Sequence, residues 1–208
     1  MSAVINYFLW LQSVGAITDD PTAPLSNTRI LSPLPDYLFE NEIKILYQEA
    51  SKTPRTYLLV LLFLETGIKS NELFLLTKAH IDISDAFAPE IWIKHTRKTT
   101  IKETKKDRKV TLPALFTEVY NRYLARYKIE DILFPYTDRF IQMLFADLRQ
   151  RSGIEKELTP KTLRHTHVVR ALKRGEDKEK IFDRIGLAPD SRQEAYEDVY
   201  EVLAGSGK

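Results

Sequence analysis

The chain has 208 residues, 43% of them hydrophobic, a formal net charge of +2 and no cysteine. That is enough apolar material for one substantial core with a small appendage, and it excludes disulfides, thiolate nucleophiles and cysteine-ligated zinc. The small net charge argues against a uniformly basic nucleic-acid coat, and no stretch reaches the roughly 18 uninterrupted apolar residues of a membrane span.

Apolar residues recur at helical spacing over residues 3–14 and stop near Gly15, which predicts a first helix. It has no basic start and no cleavage-type ending, so it does not read as a signal peptide. Pro21, Pro24, Pro33 and Pro35 then mark a linker. The expected division is a terminal helix over 1–18, a linker over 19–35, one main domain over 36–203 and a disordered tail over 204–208. Within the main domain, residues 39–50 and 55–66 read as helices, the second an apolar core helix ended by Gly67. Ser70 is placed to cap a short helix running to Leu76. Residues 81–83, 90–95 and 108–112 read as three strands, with alternation clearest at Ile91-Trp92-Ile93. Pro113 opens a helix to about Tyr127, and further helices are predicted over 138–151, 160–174, 178–185 and 191–203. The fold class is therefore mainly α with one small three-stranded antiparallel sheet.

Charge is unevenly placed along this plan. Lys94, Arg97, Lys98, Lys102, Lys105, Lys106, Arg108 and Lys109 fall in and beside the second hairpin, against Glu103 and Asp107. Asp190, Glu194, Glu197, Asp198 and Glu201 reverse the balance near the end. A basic hairpin of this kind suits a polyanionic partner. Of the four histidines, His165 and His167 are two apart and so lie on different faces of a helix, which does not make a metal site. No metal and no cofactor are expected.

Three separated boxes carry the chemistry. The first is Glu65-Thr66-Gly67-Ile68-Lys69-Ser70-Asn71-Glu72-Leu73, at a helix junction before the sheet. The second is Thr159-Pro160-Lys161-Thr162-Leu163-Arg164-His165-Thr166-His167, at a helix start. The third is Ile185-Gly186-Leu187, with Tyr196 ten residues after the glycine. In order and spacing these resemble the tyrosine recombinases of the phage integrase family, of the XerC and XerD kind. The basic hairpin stands where that family keeps a mobile lysine. The leading helix resembles the end of its DNA-clamping N-terminal domain.

The resemblance implies the tyrosine recombinase catalytic-domain fold and strand transfer on duplex DNA without metal or external energy. A tyrosine hydroxyl attacks a phosphodiester, forms a 3′-phosphotyrosyl link and releases a 5′ hydroxyl. Charge grows on the nonbridging oxygens, so fixed cations aimed at them are the main catalytic need, and the planar fork of arginine meets it best. Position by position, the resemblance makes Tyr196 the nucleophile and Arg164 the phosphate clamp. Lys98 becomes the leaving-group acid, with Arg97 and Lys94 as alternatives for that slot. Lys69 and Lys161 are the cations at two further catalytic positions, Glu72 braces the first-box cation, and His165 supports the site. Arg97, Lys94, Lys102 and His165 are the expected DNA contacts.

Three positions depart from the family pattern. Lys69 replaces an arginine, keeping the charge and losing the fork. Lys161 replaces a histidine. Leu187 replaces a histidine or tryptophan, and losing one such donor costs roughly 2–4 kcal/mol of transition-state stabilisation. Weakened catalysis follows as an expectation, and the alternative is a cleavage-deficient relative that occupies sites or regulates a partner recombinase. The expected partners are double-stranded DNA and further recombinase protomers, four when active. The expected setting is the cytoplasm.

Overall fold

The computed structural model describes residues 2–22, 36–94, 107–187 and 196. The chain divides into two units, Met1–Pro33 and Leu34–Lys208. In the first, helix α1 (Ser2–Ser13) closes where Gly15 takes a positive φ of 72°. Its final carbonyls are used by Val14 and Ala16, whose N–H groups reach Trp10 and Leu11 at 3.1 and 3.0 Å. The predicted linker prolines Pro24, Pro33 and Pro35 lie outside the described residues.

The second unit contains α2 (Glu40–Ala50), α3 (Pro54–Thr66), α4 (Ser70–Leu73), β1 (Ile81–Asp82), β2 (Glu90–Ile93), β3 (Arg108–Thr111), α5 (Leu115–Arg126), α6 (Asp138–Ser152), α7 (Pro160–Lys173) and α8 (Lys178–Arg184). The axis of its core is α3. Thr53 caps that helix through the Thr56 N–H, Pro54 occupies the first turn without wasting a donor, and Gly67 at φ 61° ends it. All seven residues from Leu58 to Leu64 are buried, because α3 is enclosed by α2, α5 and α7. Each such side chain contributes roughly 1.5–3 kcal/mol of burial, so α3 anchors everything attached to its ends.

The sheet runs β1-β2-β3, antiparallel throughout. Its register pairs Ile91 with Val110 and Ile93 with Arg108. Ile91, Ile93 and Val110 face the core while Trp92 and Lys109 face outward. Arg108 shares the inward face, an unusual place for a charge that the site explains below. A second cluster gathers Val168, Val169 and Ala171 of α7, Ile181 and Phe182 of α8, Ile185, and Tyr196. The fold is thus mainly helical with one small antiparallel sheet, as the periodicity predicts.

Several elements are shorter than predicted. Helix α4 stops at Leu73 rather than Leu76, because the chain beyond is pulled into extended pairing. The Leu76 carbonyl accepts the Leu133 N–H at 2.8 Å, and Thr77 bridges to Ile132. Strand β1 stops at Asp82, whose carboxylate turns back to the Ser84 N–H at 2.9 Å. Helix α5 begins at Leu115, the Pro113 carbonyl serving as acceptor for Phe116. The helix predicted over 191–203 lies outside the described residues, Tyr196 excepted; that residue is helical.

Candidate active site

Helix α7 delivers the second box. Thr159 accepts the Thr162 N–H at 3.1 Å and Pro160 fills the first turn, so the start of the helix is fixed. Thr166 ties it down further, donating to the Thr162 carbonyl at 2.8 Å and accepting the Leu38 N–H at 2.9 Å. Arg164, one turn in, is only 8% exposed. Its Nη1 donates to the Gly67 carbonyl, and its charge acts on the Tyr196 hydroxyl. One side chain therefore ties the end of α3 to the second box and bears electrostatically on the tyrosine.

Gly67 permits this convergence. A Cβ there would stand 2.8 Å from Ile185 Cγ2 and 3.1 Å from the His167 ring, and the positive φ independently favours glycine. His167 packs underneath, its Nδ1 donating to the Leu64 carbonyl at 2.8 Å, while its buried Nε2 has no partner among the described residues. Burial, with the Arg184 and Arg174 charges, holds its pKa down to about 4 against the Leu64 bond, so the ring is neutral.

The Tyr196 ring sits between His165, edge-on at 5.6 Å, and Phe182 at 6.2 Å. Burial raises its pKa, and the Arg164 charge and hydrogen bond oppose that rise. The phenol is protonated at neutral pH, with its best available stabiliser of a phenolate already in contact. Burial, then the Lys161 charge, lower the His165 pKa, and the nearby Asp36 opposes them. Lys161 itself is exposed on the first turn of α7.

In the first box Lys69 is the residue before α4, half-buried, and its backbone N–H donates to Glu72 Oε2 at 3.0 Å. Glu72 is 1% exposed, and its carboxylate takes two parallel bonds from Arg108, at 2.9 and 2.7 Å. Burial pushes the Glu72 carboxyl up, but the Arg108 bonds and charge, with the Lys69 N–H, outweigh it and keep it ionised below the usual range. Arg108 is the residue that sequence reasoning missed, counted there only as part of the basic run. The signal lay in the strand alternation, which puts position 108 on the same face as Val110.

Of the other expected DNA contacts, Lys94 is exposed just past β2. Arg97, Lys98 and Lys102 lie outside the described residues. Among the described residues no group of three or more histidines and carboxylates is arranged to hold a metal ion, and no helix is long and apolar enough to cross a membrane.

The phage integrase family matches residues 36–201. A tyrosine recombinase of Pseudothermotoga lettingae is 28% identical over 202 residues, covering 94% of this chain and 68% of that protein. Tyrosine recombinase XerD of Listeria innocua is 24% identical over 220 residues, covering 97% and 71%. Among solved structures, XerA recombinase superposes with a TM-score of 0.67 at 26% identity, covering 84% of this chain and 66% of that one. The catalytic domain of bacteriophage HP1 integrase gives 0.58 at 22% identity, covering 83% and 90%. A XerH site-specific recombinase bound to palindromic difH substrate, a post-cleavage complex, gives 0.69 at 20% identity, covering 87% of this chain and 55% of that one. The chain spans about two thirds of the length of these curated relatives and about half to two thirds of the XerA and XerH chains. The match takes in the Gly67 box, the Arg164 box and Tyr196 alike, and the chain belongs to the phage integrase family.

Proposed function

We propose that this chain is the catalytic part of a site-specific DNA recombinase or integrase, breaking and rejoining duplex DNA through a 3′-phosphotyrosyl link at Tyr196. The observation that carries the reading is the buried Arg164, tied to the Gly67 carbonyl, with its charge acting on the buried Tyr196 hydroxyl. A tyrosine beside an arginine is what attack on a phosphodiester requires. The same guanidinium lowers the cost of the phenolate and offers a fork to the nonbridging oxygens.

In the proposed reaction the Tyr196 hydroxyl gives up its proton to solvent and its oxygen bonds to phosphorus as the bond to the 5′ oxygen breaks. Arg164 clamps the pentacoordinate phosphate. Lys69 and Lys161 add charge around it, and Lys98, or Arg97 or Lys94 in its slot, donates the proton that the 5′ oxygen takes up. His165 keeps the Tyr196 ring in place from its edge. Exposed Lys94, with Arg97 and Lys102 beyond it in sequence, contacts the DNA backbone, and that binding weakens steeply with salt. Active protomers assemble as four on two DNA sites, in the cytoplasm. The XerH relatives are described as bound to difH substrate before and after cleavage, in keeping with this partner.

A denaturing gel tests the reading, using nicked duplexes drawn from DNA flanking the gene. Wild type should form a covalent adduct and Tyr196→Phe none, with equal DNA binding. Binding without an adduct from either protein would move the chain to the cleavage-deficient reading motivated by Lys69, Lys161 and Leu187.

A further inference from the structure

The geometry points to Arg108 as a positioning residue for the proposed strand transfer, a clamp that sets the first box against the turn preceding the nucleophile. The inference rests on the recombinase reading. Arg108 is 9% exposed and spends its fork on two elements distant in sequence. Nη1 and Nη2 grip the Glu72 carboxylate at 2.9 and 2.7 Å, and Nε donates to the Arg184 carbonyl at 2.6 Å.

That carbonyl is at the last residue of α8, where backbone acceptors run out of intrahelical partners. The neighbouring Phe182 and Asp183 carbonyls are met locally by the Leu187 and Gly186 N–H groups, at 2.9 and 3.0 Å. Gly186, at φ 64°, then leaves room for the guanidinium: a Cβ there would be 2.7 Å from Nη1. A continuous set of contacts therefore runs from the Lys69 N–H through Glu72 and Arg108 to Arg184 and Gly186. Helix α8 in turn supplies Phe182, against which the Tyr196 ring packs.

Only a planar guanidinium serves this geometry, since a lysine has neither the second parallel donor nor the Nε direction. An ion pair with no wider role could be exchanged for apolar side chains at little loss of stability. The clamp instead fixes the nucleophile's height relative to Lys69, a distance on which the rate of attack depends steeply.

The test compares wild type, Glu72→Leu/Arg108→Met and Arg108→Lys for thermal unfolding, affinity for an intact flanking duplex, and the single-turnover rate of adduct formation on its nicked form. The double variant leaves no unpaired buried charge, and Arg108→Lys keeps the charge while losing the fork. Both should bind DNA within a few-fold of wild type yet form adduct about 100-fold more slowly, the scale of a 1 Å misplacement. A folded double variant cleaving at the wild-type rate overturns the clamp while leaving the recombinase reading intact. Full activity in Arg108→Lys overturns it as well, since charge alone would then suffice. Absence of adduct from wild type overturns both together.

Discussion

Replacing His167 by glutamine removes one titration from the unfolding equilibrium and leaves a donor for the Leu64 carbonyl. In the folded chain the His167 pKa is held down to about 4, chiefly by burial, whereas an unfolded histidine titrates near 6.5. Between those values the unfolded chain binds a proton that the folded one refuses, so stability rises with pH and falls on acidification. The stability in question is fully present above about pH 6.5 and is lost progressively as pH drops toward 4. The interval between the two pKa values corresponds to about 3 kcal/mol. Residue burial of 97%, from a relative exposure of 3%, leaves little solvent to soften it. Urea unfolding of wild type and His167→Gln at half-unit steps from pH 7.5 to 4 measures the difference directly. Other groups whose pKa is lowered, His80, Asp82, His165 and Glu72, titrate in both proteins and cancel, while Glu176, also lowered, acts on His167 itself and cancels only in part. The wild-type curve should fall below the variant's by about 3 kcal/mol more at pH 4 than at pH 7. Parallel curves would mean that His167 is protonated at no penalty and is not buried as described.

Three further substitutions probe the site. Lys69→Arg restores the fork at a position whose backbone is already fixed by Glu72, and adduct formation should speed up by about tenfold; an unchanged rate would remove Lys69 from the phosphate's surroundings. Arg164→Lys keeps the charge but loses the planar fork that meets the Gly67 carbonyl beside Tyr196, so cleavage should drop about 100-fold or more, with DNA affinity read separately by titration. Gly67→Ala puts a Cβ 2.8 Å from Ile185 Cγ2 at a positive φ, and should lower unfolding free energy by about 1–3 kcal/mol; an unaffected urea midpoint would show that the α3–α7 junction yields easily.

What could be read from the sequence was whatever is decided within a few residues. Thr53, Pro54 and Gly67 bracket α3 by capping chemistry alone, and the apolar run between them has no alternative but burial. Thr159 and Pro160 do the same for α7, which is why the position of Arg164 one turn later was legible. The end of α4 was not, because Ile132 and Leu133 impose it from some sixty residues away, and no local pattern encodes that pairing. The hairpin cations Arg97, Lys98 and Lys102 are outside the described residues, so their roles still rest on the resemblance.

Arg108 marks the boundary between the two kinds of information. Read by composition it is one cation among eight, and runs of charge are ordinarily solvated. Read by strand alternation it faces inward with Ile93 and Val110, and an inward arginine cannot stand unless a buried acid meets it. Glu72 is that acid, 36 residues earlier, on a four-residue helix too short to hold itself in place. Each residue alone is out of place, and only the pair makes sense. A buried acid in the first box and an inward arginine at the root of a basic hairpin are thus better treated as one observation. The charge counted with the basic hairpin is committed to a buried pair with Glu72.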